Sequence, residues 1–413
     1  MTAMAAAPHQ PVRRRHVFFF SGFDPKGGAY YHQLYATGAA QQQATTGHVY
    51  QVGGRERTDD RYVQRWRVGW RANAAEPSEQ VATTVEYWVW DDLVRTLWPK
   101  TVLGVALGSV RAYGTALRSV AALRKVWQQS PRTLVALAYP ALFWLLALLG
   151  GLLLGGLAAQ LGGFAAARSG WPSGVATAVA GALALAACLA VWWGAWWLEQ
   201  RLHTSWLLRI YRFTELWASG KLPDLDQRLD VMAERVLQRL RQQDADEVLL
   251  VGFSVGSMLS ASVLARVLKQ SPDIGRLSML TLGQCIPLLG LAPGAHRFRE
   301  QLALLAATPT LCWTDYSSPS DWGSFALVDP LQICSLTLPA PPGPGTLRPS
   351  MRSPRFHTLF EAAEYARIKP DKRRMHLQYL MATPKAGAYD YFLMTAGPSR
   401  LCAQPGSSTE STA

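Results

Sequence analysis

Two uncharged stretches in the middle of the chain restrict its fold more than any other feature. Residues 133–167, TLVALAYPALFWLLALLGGLLLGGLAAQLGGFAAA, carry no charged side chain, and neither do residues 169–198. A helix needs about 20 apolar residues to cross a bilayer, so each stretch is long enough. Only a short break around Arg168 and Pro172 separates them. The pattern predicts a two-helix transmembrane hairpin over 131–200. A pair of buried core helices is the alternative, but core helices seldom run so far without a charge.

Basic residues set the expected orientation. Arg118, Arg124, Lys125 and Arg132 precede the first stretch, Arg201, Arg209 and Arg212 follow the second, and the connecting loop holds only Arg168. The positive-inside bias places both ends of the hairpin in the cytoplasm, at an inner membrane. Trp192, Trp193, Trp196 and Trp197 cluster at the end of the second stretch, where an aromatic belt is expected. Segment 101–130 mixes apolar residues with Arg111, Arg118, Arg124 and Lys125. It reads either as an amphipathic helix on the membrane surface or as a soluble helix leading to the span.

The chain has 413 residues and a formal net charge of +13, which calls for an anionic partner, nucleic acid or an anionic membrane face. Sixteen tryptophans and 49% hydrophobic residues favour the membrane. No module combining aromatic and basic residues for nucleic acid is present, and Arg13, Arg14 and Arg15 read as a solvated arm facing anionic lipid. The partner expected from charge and composition is therefore membrane lipid, with no nucleic acid. Cys188, Cys285, Cys312, Cys334 and Cys402 are odd in number and form no CxxC pair. This argues against a disulfide framework and against zinc, and fits a reducing compartment. GFDPKGG lacks the ending of a phosphate-binding Walker loop, and no metal-ligand spacing appears, so no cofactor is expected. The apolar run HVFFFSGF is too short for a signal peptide and is followed at once by Asp24 and Lys26. The N-terminal part is expected to stay in the cytoplasm.

Both flanks read as alternating strands and helices. HVFFFSGF, GHVYQVG, RYVQRWRVGW and TTVEYWVW are strand-like, as are EVLLVGFS, LSMLTLG and TLCWTDY after the hairpin. LDQRLDVMAERVLQRLRQQ has helical periodicity. The expected fold class is α/β, a mostly parallel sheet with helices on both faces, interrupted by the hairpin. Residues 1–130 and 201–400 would together make one cytoplasmic domain, with 131–200 as the insertion. PAPPGPGT, 339–346, would be a loop, and 401–413 a disordered tail.

The chemistry centres on LLVGFSVGSML, where a buried-strand pattern ends in Gly252-Phe253-Ser254-Val255-Gly256 and passes into a helical one. A nucleophile elbow needs glycines beside its serine because the turn is strained and the helix passes close to the strand. Ser257, Ser260 and Ala261 keep that helix face slim. The alternative is an ordinary serine capping a helix after a strand.

This strand–GFSVG–helix passage resembles the α/β-hydrolase fold family. In that family the triad runs nucleophile, acid, histidine along the chain. The resemblance then implies Ser254 as nucleophile and leaves His357 and His376 as candidate bases. His9, His16, His32, His48 and His203 all precede the serine, and His296 precedes the acid strand. For the acid, TLCWTDYSSPSD offers Asp315 and Asp321; Asp321 is preferred because Asp315 stands nearer the strand end, and Asp329 comes third. The alternative, a histidine on a solvated helix end, fits either His357 or His376. The tail MHLQYLMATPKAGAYDYF, with SGFDPKGGAYYHQLY near the N-terminus, resembles uncharacterised bacterial membrane-anchored α/β-hydrolase-like proteins, and that resemblance favours His376. The family's oxyanion hole implies backbone N–H groups of Val255 and of Phe23, with Gly22 letting the chain approach. The functional expectation that the resemblance implies is a membrane-anchored serine hydrolase of an ester or thioester, with a small acyl substrate as partner and an acyl lipid as the suggested one. The rival is a catalytically silent membrane protein that keeps the fold as a binding or assembly module.

Overall fold

A computed structural model describes residues 11–75, 80–98, 102–202, 204–271, 274–308, 310–334 and 349–403. The expected loop at 339–346, and His9 and His203, lie outside the described residues, as does the expected tail from 404 onward.

Nine strands form one sheet among the described residues: β1 (Arg14–Phe20), β2 (Val49–Val52), β3 (Glu56–Arg57), β4 (Val63–Arg71), β5 (Val81–Trp88), β6 (Glu247–Phe253), β7 (Leu277–Leu282), β8 (Cys312–Tyr316) and β9 (Ser350–Arg352). Their order is β2-β4-β5-β1-β6-β7-β8-β9, with β3 beside β4. β1 pairs in parallel with both β5 and β6, so strands from before and after the apolar stretches share one sheet. From β5 to β9 every pairing is parallel. At the other edge β2, β3 and β5 all run antiparallel to β4. The sheet is therefore mixed. The connections there are too short for crossover helices, and short connections return a strand antiparallel.

The helices follow from the connections. α1 (Gly27–Thr46) joins β1 to β2. After β5 come α2 (Asp91–Thr96), α3 (Val102–Leu117) and α4 (Val120–Gln129), which lead to the two long apolar helices α5 (Pro131–Arg168) and α6 (Ser173–Leu202). α7 (Thr204–Ala218) and α8 (Pro223–Gln242) return the chain to β6. α9 (Gly256–Gln270) links β6 to β7, and α10 (Ile286–Gly290) and α11 (His296–Ala306) link β7 to β8. α12 (Pro330–Cys334) lies between β8 and β9, and α13 (Ala362–Ile368), α14 (Lys372–Leu377) and α15 (Tyr391–Ala396) follow β9. Segment 101–130 is thus two helices, not one.

β6 reads EVLLVGF and is buried along its whole length, as a central strand between two parallel neighbours must be. Val17, Phe19, Leu249 and Val251 share a core with Tyr31 and Tyr35 of α1 and Phe392 of α15. Phe18, Phe20 and Leu250 alternate to the opposite face. α8 buries Leu225, Leu229, Met232, Val236 and Leu237, an amphipathic stripe. It starts with Pro223 in its first turn beside Asp224 and Asp226, and ends near Arg239 and Arg241, each charge favouring the helix dipole.

Two charges buried in the sheet, on β1 and β6, are paired. Arg15 donates to Glu247 at 2.8 Å and to the carbonyls of Gly397 and Ser399. Glu247 also accepts from Ser278 and from the Leu401 amide. Cys312 and Cys402 form a disulfide, with Cα atoms 5.9 Å apart. This corrects the expectation of no disulfide. The partners are 90 residues apart, and the fold rather than a local motif joins them. Leu401–Ala403, inside the expected tail, form a 3-10 turn with Leu401 buried.

The chain divides into two compact units. One comprises 1–98, 115–133 and 214–413 and holds the sheet; the other comprises 99–114 and 134–213. In the second, α5 and α6 are long and apolar enough to cross a membrane. They present large apolar side chains outward, Leu153 at 64% exposure and Trp193 at 72%. Small residues let them approach: a Cβ on Gly155 would stand 2.7 Å from the Cys188 sulfur and 3.2 Å from the Ala184 carbonyl oxygen.

Candidate functional site

Ser254 follows β6 directly and has φ 56°, a left-handed conformation that non-glycine residues avoid. Such a residue costs about 1–3 kcal/mol and persists only where its surroundings over-determine it. They do so here. A Cβ on Gly256 would fall 2.0 Å from the Phe20 carbonyl oxygen, and one on Gly252 would fall 2.7 Å from Cα of Ser257. The helix that follows therefore presses against β1 and β6 in a way only glycine permits at both places. The Ser254 amide donates to the Leu282 carbonyl at 2.9 Å, and the Ser254 carbonyl accepts from the Ser257 amide and hydroxyl.

The Ser254 hydroxyl meets the Cys285 thiol at 3.9 Å. That thiol is fully buried, and burial first, with the Asp321 charge adding, pushes it up to about 12. It is thus a neutral neighbour and not a thiolate at neutral pH. On the other side, the loop after β1 lies against the serine: a Cβ on Gly22 would stand 3.1 Å from the Ser254 Cβ. The Val255 amide, at the start of α9, donates to no protein group among the described residues. Phe23 is buried, its ring 6.0 Å from the rings of Trp90 and Trp98. Asp24 accepts from the Lys26 amide at 2.9 Å. Burial raises its carboxyl above the usual range, against the pull of that hydrogen bond and of Lys26 and Arg373.

Asp321 and His376 meet. Nδ1 of His376 lies 2.8 Å from Oδ2 of Asp321. A carboxylate only accepts, so the proton of this bond sits on Nδ1 and Nε2 is left as the basic nitrogen. The imidazole lies beside the elbow, its ring 5.0 Å from that of Phe253, the residue before Ser254. Asp321 is 1% exposed and its other contacts are all donors. Tyr379 donates to Oδ2 at 3.1 Å, and the Gly323 amide to Oδ1 at 2.9 Å. Tyr379 in turn accepts from the Ser318 amide at 2.7 Å, which fixes the loop that carries the acid.

Asp315 has a different role. It is fully buried at the end of β8, where Thr281 and Ser317 donate to its two oxygens at 2.6 and 2.8 Å. The Ser317 hydroxyl also accepts from the Leu327 amide, so Asp315 braces the base of the acid loop. Burial raises its carboxyl to about 7 despite those two bonds. His357 is exposed, its ring 6.4 Å from that of Tyr365. Of the two candidate histidines, His376 is therefore the one bonded to a candidate acid, and that candidate is Asp321.

Three participants carried no signal that sequence reasoning used: Cys285 beside the serine, Tyr379 on the acid and Gly323 on the same carboxylate. Tyr379 stands three residues after His376, which places both on one helical face; that spacing alone could have suggested it. Among the described residues no cluster of His, Cys, Asp or Glu is arranged to hold a metal ion. No family profile matches the chain, and no significant match is found among curated proteins or solved structures.

Proposed function

We propose that the protein is a membrane-anchored serine hydrolase with an α/β-hydrolase-like domain, acting on an ester or thioester of an acyl substrate. The observation that carries this reading is the left-handed Ser254 at the end of β6, held by glycine on both sides. Strain of this kind is kept where a side chain must be offered at a sharp turn. The His376–Asp321 pair beside it supports the same reading, as does the order of the three residues along the chain.

Ser254 Oγ attacks the acyl carbon while Nε2 of His376 takes its proton. Asp321 holds Nδ1–H and stabilises the imidazolium that forms. The carbonyl oxygen becomes an oxyanion, which the Val255 amide and the Phe23 amide receive. When the tetrahedral carbon collapses, His376 passes the proton to the departing alkoxide or thiolate. Water, deprotonated by the same imidazole, then releases the acid and restores the serine. α5 and α6 anchor the chain in the inner membrane, with the basic flanks and the sheet in the cytoplasm.

The test is labelling of the full chain in membranes with a fluorophosphonate, followed by mapping of the labelled residue. Label on Ser254, abolished in Ser254→Ala with membrane insertion intact, is the expected result. The same substitution should lower turnover by a factor on the order of 10⁴ or more. Label elsewhere, or none in the wild type, favours a silent binding module.

A further inference from the structure

Two exposed cations, Arg132 and Lys372, meet the outer edge of the acid loop, and a third, Lys369, stands three residues before Lys372 with its ammonium 6.0 Å from the Tyr365 ring. Lys372 lies on α14 one turn before His376, and residues four apart share a helix face. Its ammonium stands 4.6 Å from the ring centre of Trp322, the residue after Asp321, and donates to the Lys369 carbonyl at 3.2 Å. Arg132 reaches the same loop and donates to the Pro319 carbonyl at 3.3 Å. Next to it, Thr133 donates to the Ser324 carbonyl at 2.8 Å, which fixes this stretch of chain to the loop. Among the described residues, no carboxylate lies within ion-pair distance of Arg132, Lys369 or Lys372. The proximity is felt: partial burial first, then Lys369 and Arg132, lower the pKa of Lys372, while Asp321 acts in the opposite direction. Trp322 stays 37% exposed beneath the ammonium.

Like charges gathered without counter-charge, around an aromatic platform and beside a reactive centre, are suited to an anion that arrives with the substrate. Arg132 belongs to the first turn of α5, where the chain passes into a run apolar enough to cross a membrane. A cation at that boundary stands at the level of lipid headgroups. We propose that Arg132, Lys369 and Lys372, with Trp322 as platform, hold the anionic phosphate headgroup of an acyl phospholipid whose ester is presented to Ser254 and His376. This inference rests on the hydrolase reading and names its substrate class.

The test measures equilibrium binding to the full-length Ser254→Ala chain in neutral detergent, so that no turnover intervenes. The probes are dihexanoyl phosphatidic acid and dihexanoyl phosphatidylcholine, both kept below their micelle thresholds, and inorganic phosphate. Phosphatidic acid should bind roughly tenfold or more tightly than phosphatidylcholine, as charge-assisted hydrogen bonds allow. Adding Arg132→Ala and Lys372→Ala should remove that preference and leave phosphatidylcholine binding unchanged. Adding Lys369→Gln and Lys372→Gln should do the same if the Arg132 change unsettles the acid loop. Adding Lys269→Ala, at the far end of α9, should change nothing. Equal binding of the two lipids, or a preference that survives both double substitutions, overturns the proposal. Inorganic phosphate binding as tightly as phosphatidic acid overturns the lipid as the source of the anion. Fluorophosphonate labelling of the wild type is read separately. If labelling fails while the lipid preference holds, the hydrolase reading fails alone. If labelling succeeds without a lipid preference, this inference fails alone.

Discussion

His376 and His357 differ in what surrounds them, and the difference sets their expected effects. His376 is 6% exposed and bonded to Asp321, whereas His357 is exposed on a 3-10 turn. On the mechanism proposed above, His376→Ala should cost nearly as much activity as Ser254→Ala, because the members of a triad act as a unit. His357→Ala should change the rate by less than about tenfold, with both variants keeping the wild-type melting transition. The opposite ranking would move the base to His357. Asp315 predicts a pH effect on stability rather than on chemistry. Its carboxyl is raised to about 7 in the fold, against an ordinary value of 3.8. Below about pH 4 it is protonated folded and unfolded alike; between 4 and 7 the unfolded chain ionises first. The native state then binds the extra proton, so stability falls as pH rises and levels off above 7. Asp315→Asn removes this dependence. Its advantage over wild type in urea unfolding should grow from pH 4 to 7, up to about 4 kcal/mol. A difference that is flat with pH would show that Asp315 ionises normally.

At the level of elements, the passage from β6 to α9 is the most constrained in the sheet unit. The Phe20 carbonyl of β1 and the start of α9 leave no room for a methyl group at Gly256, and backbone cannot swing aside as a flexible side chain can. Gly256→Ala should therefore lower stability by about 3 kcal/mol or more and abolish fluorophosphonate labelling. Gly54→Ala is the matched control, because a Cβ there meets nothing within 4 Å. A melting transition shared by wild type and Gly256→Ala would mean that α9 does not sit so close to β1. The acid loop has a comparable fixity, drawn from several neighbours. Tyr379, Gln284 and Thr133 each bond to it, from three different parts of the chain, and Ser317 at its base accepts from Leu327 at its far end.

The whole molecule couples an apolar helix pair to a domain whose N-terminal and C-terminal strands share one sheet. In the orientation proposed above, the basic residues on both flanks of the pair keep that domain in the cytoplasm. A reporter fused after Ala413 should read cytoplasmic, and one in the 168–173 loop should read external. The Cys312–Cys402 pair gives an independent check. The proposed cytoplasmic placement has the bond of the folded chain held open as thiols in the cell. Alkylation of intact cells before lysis should therefore modify both cysteines. A bond already closed in cells, together with an external C-terminal reporter, would reverse the orientation.

What the sequence determined by itself was whatever depends on near neighbours. The absence of charge over 133–167 and 169–198 marks the two long apolar helices, since their character is a property of contiguous residues. EVLLV marks a buried strand, and the glycines of GFSVG mark a turn where a Cβ has no place, as the Phe20 and Ser257 contacts show. The alternating pattern of the flanks marks an α/β sheet, but not that β2, β3 and β5 would oppose β4, because pairing direction depends on how the connections close. Only the tertiary structure set apart the surroundings of Asp315 and Asp321. Six residues apart on one segment, one turns into the sheet towards Thr281 and the other turns out towards His376. It also set which of the two histidines meets Asp321, joined Cys312 to Cys402, and brought Cys285 beside Ser254 and Tyr379 to Asp321. Each of these is a meeting of residues distant along the chain. Such meetings are fixed by the packing of the entire sheet and leave no periodicity in the sequence to read.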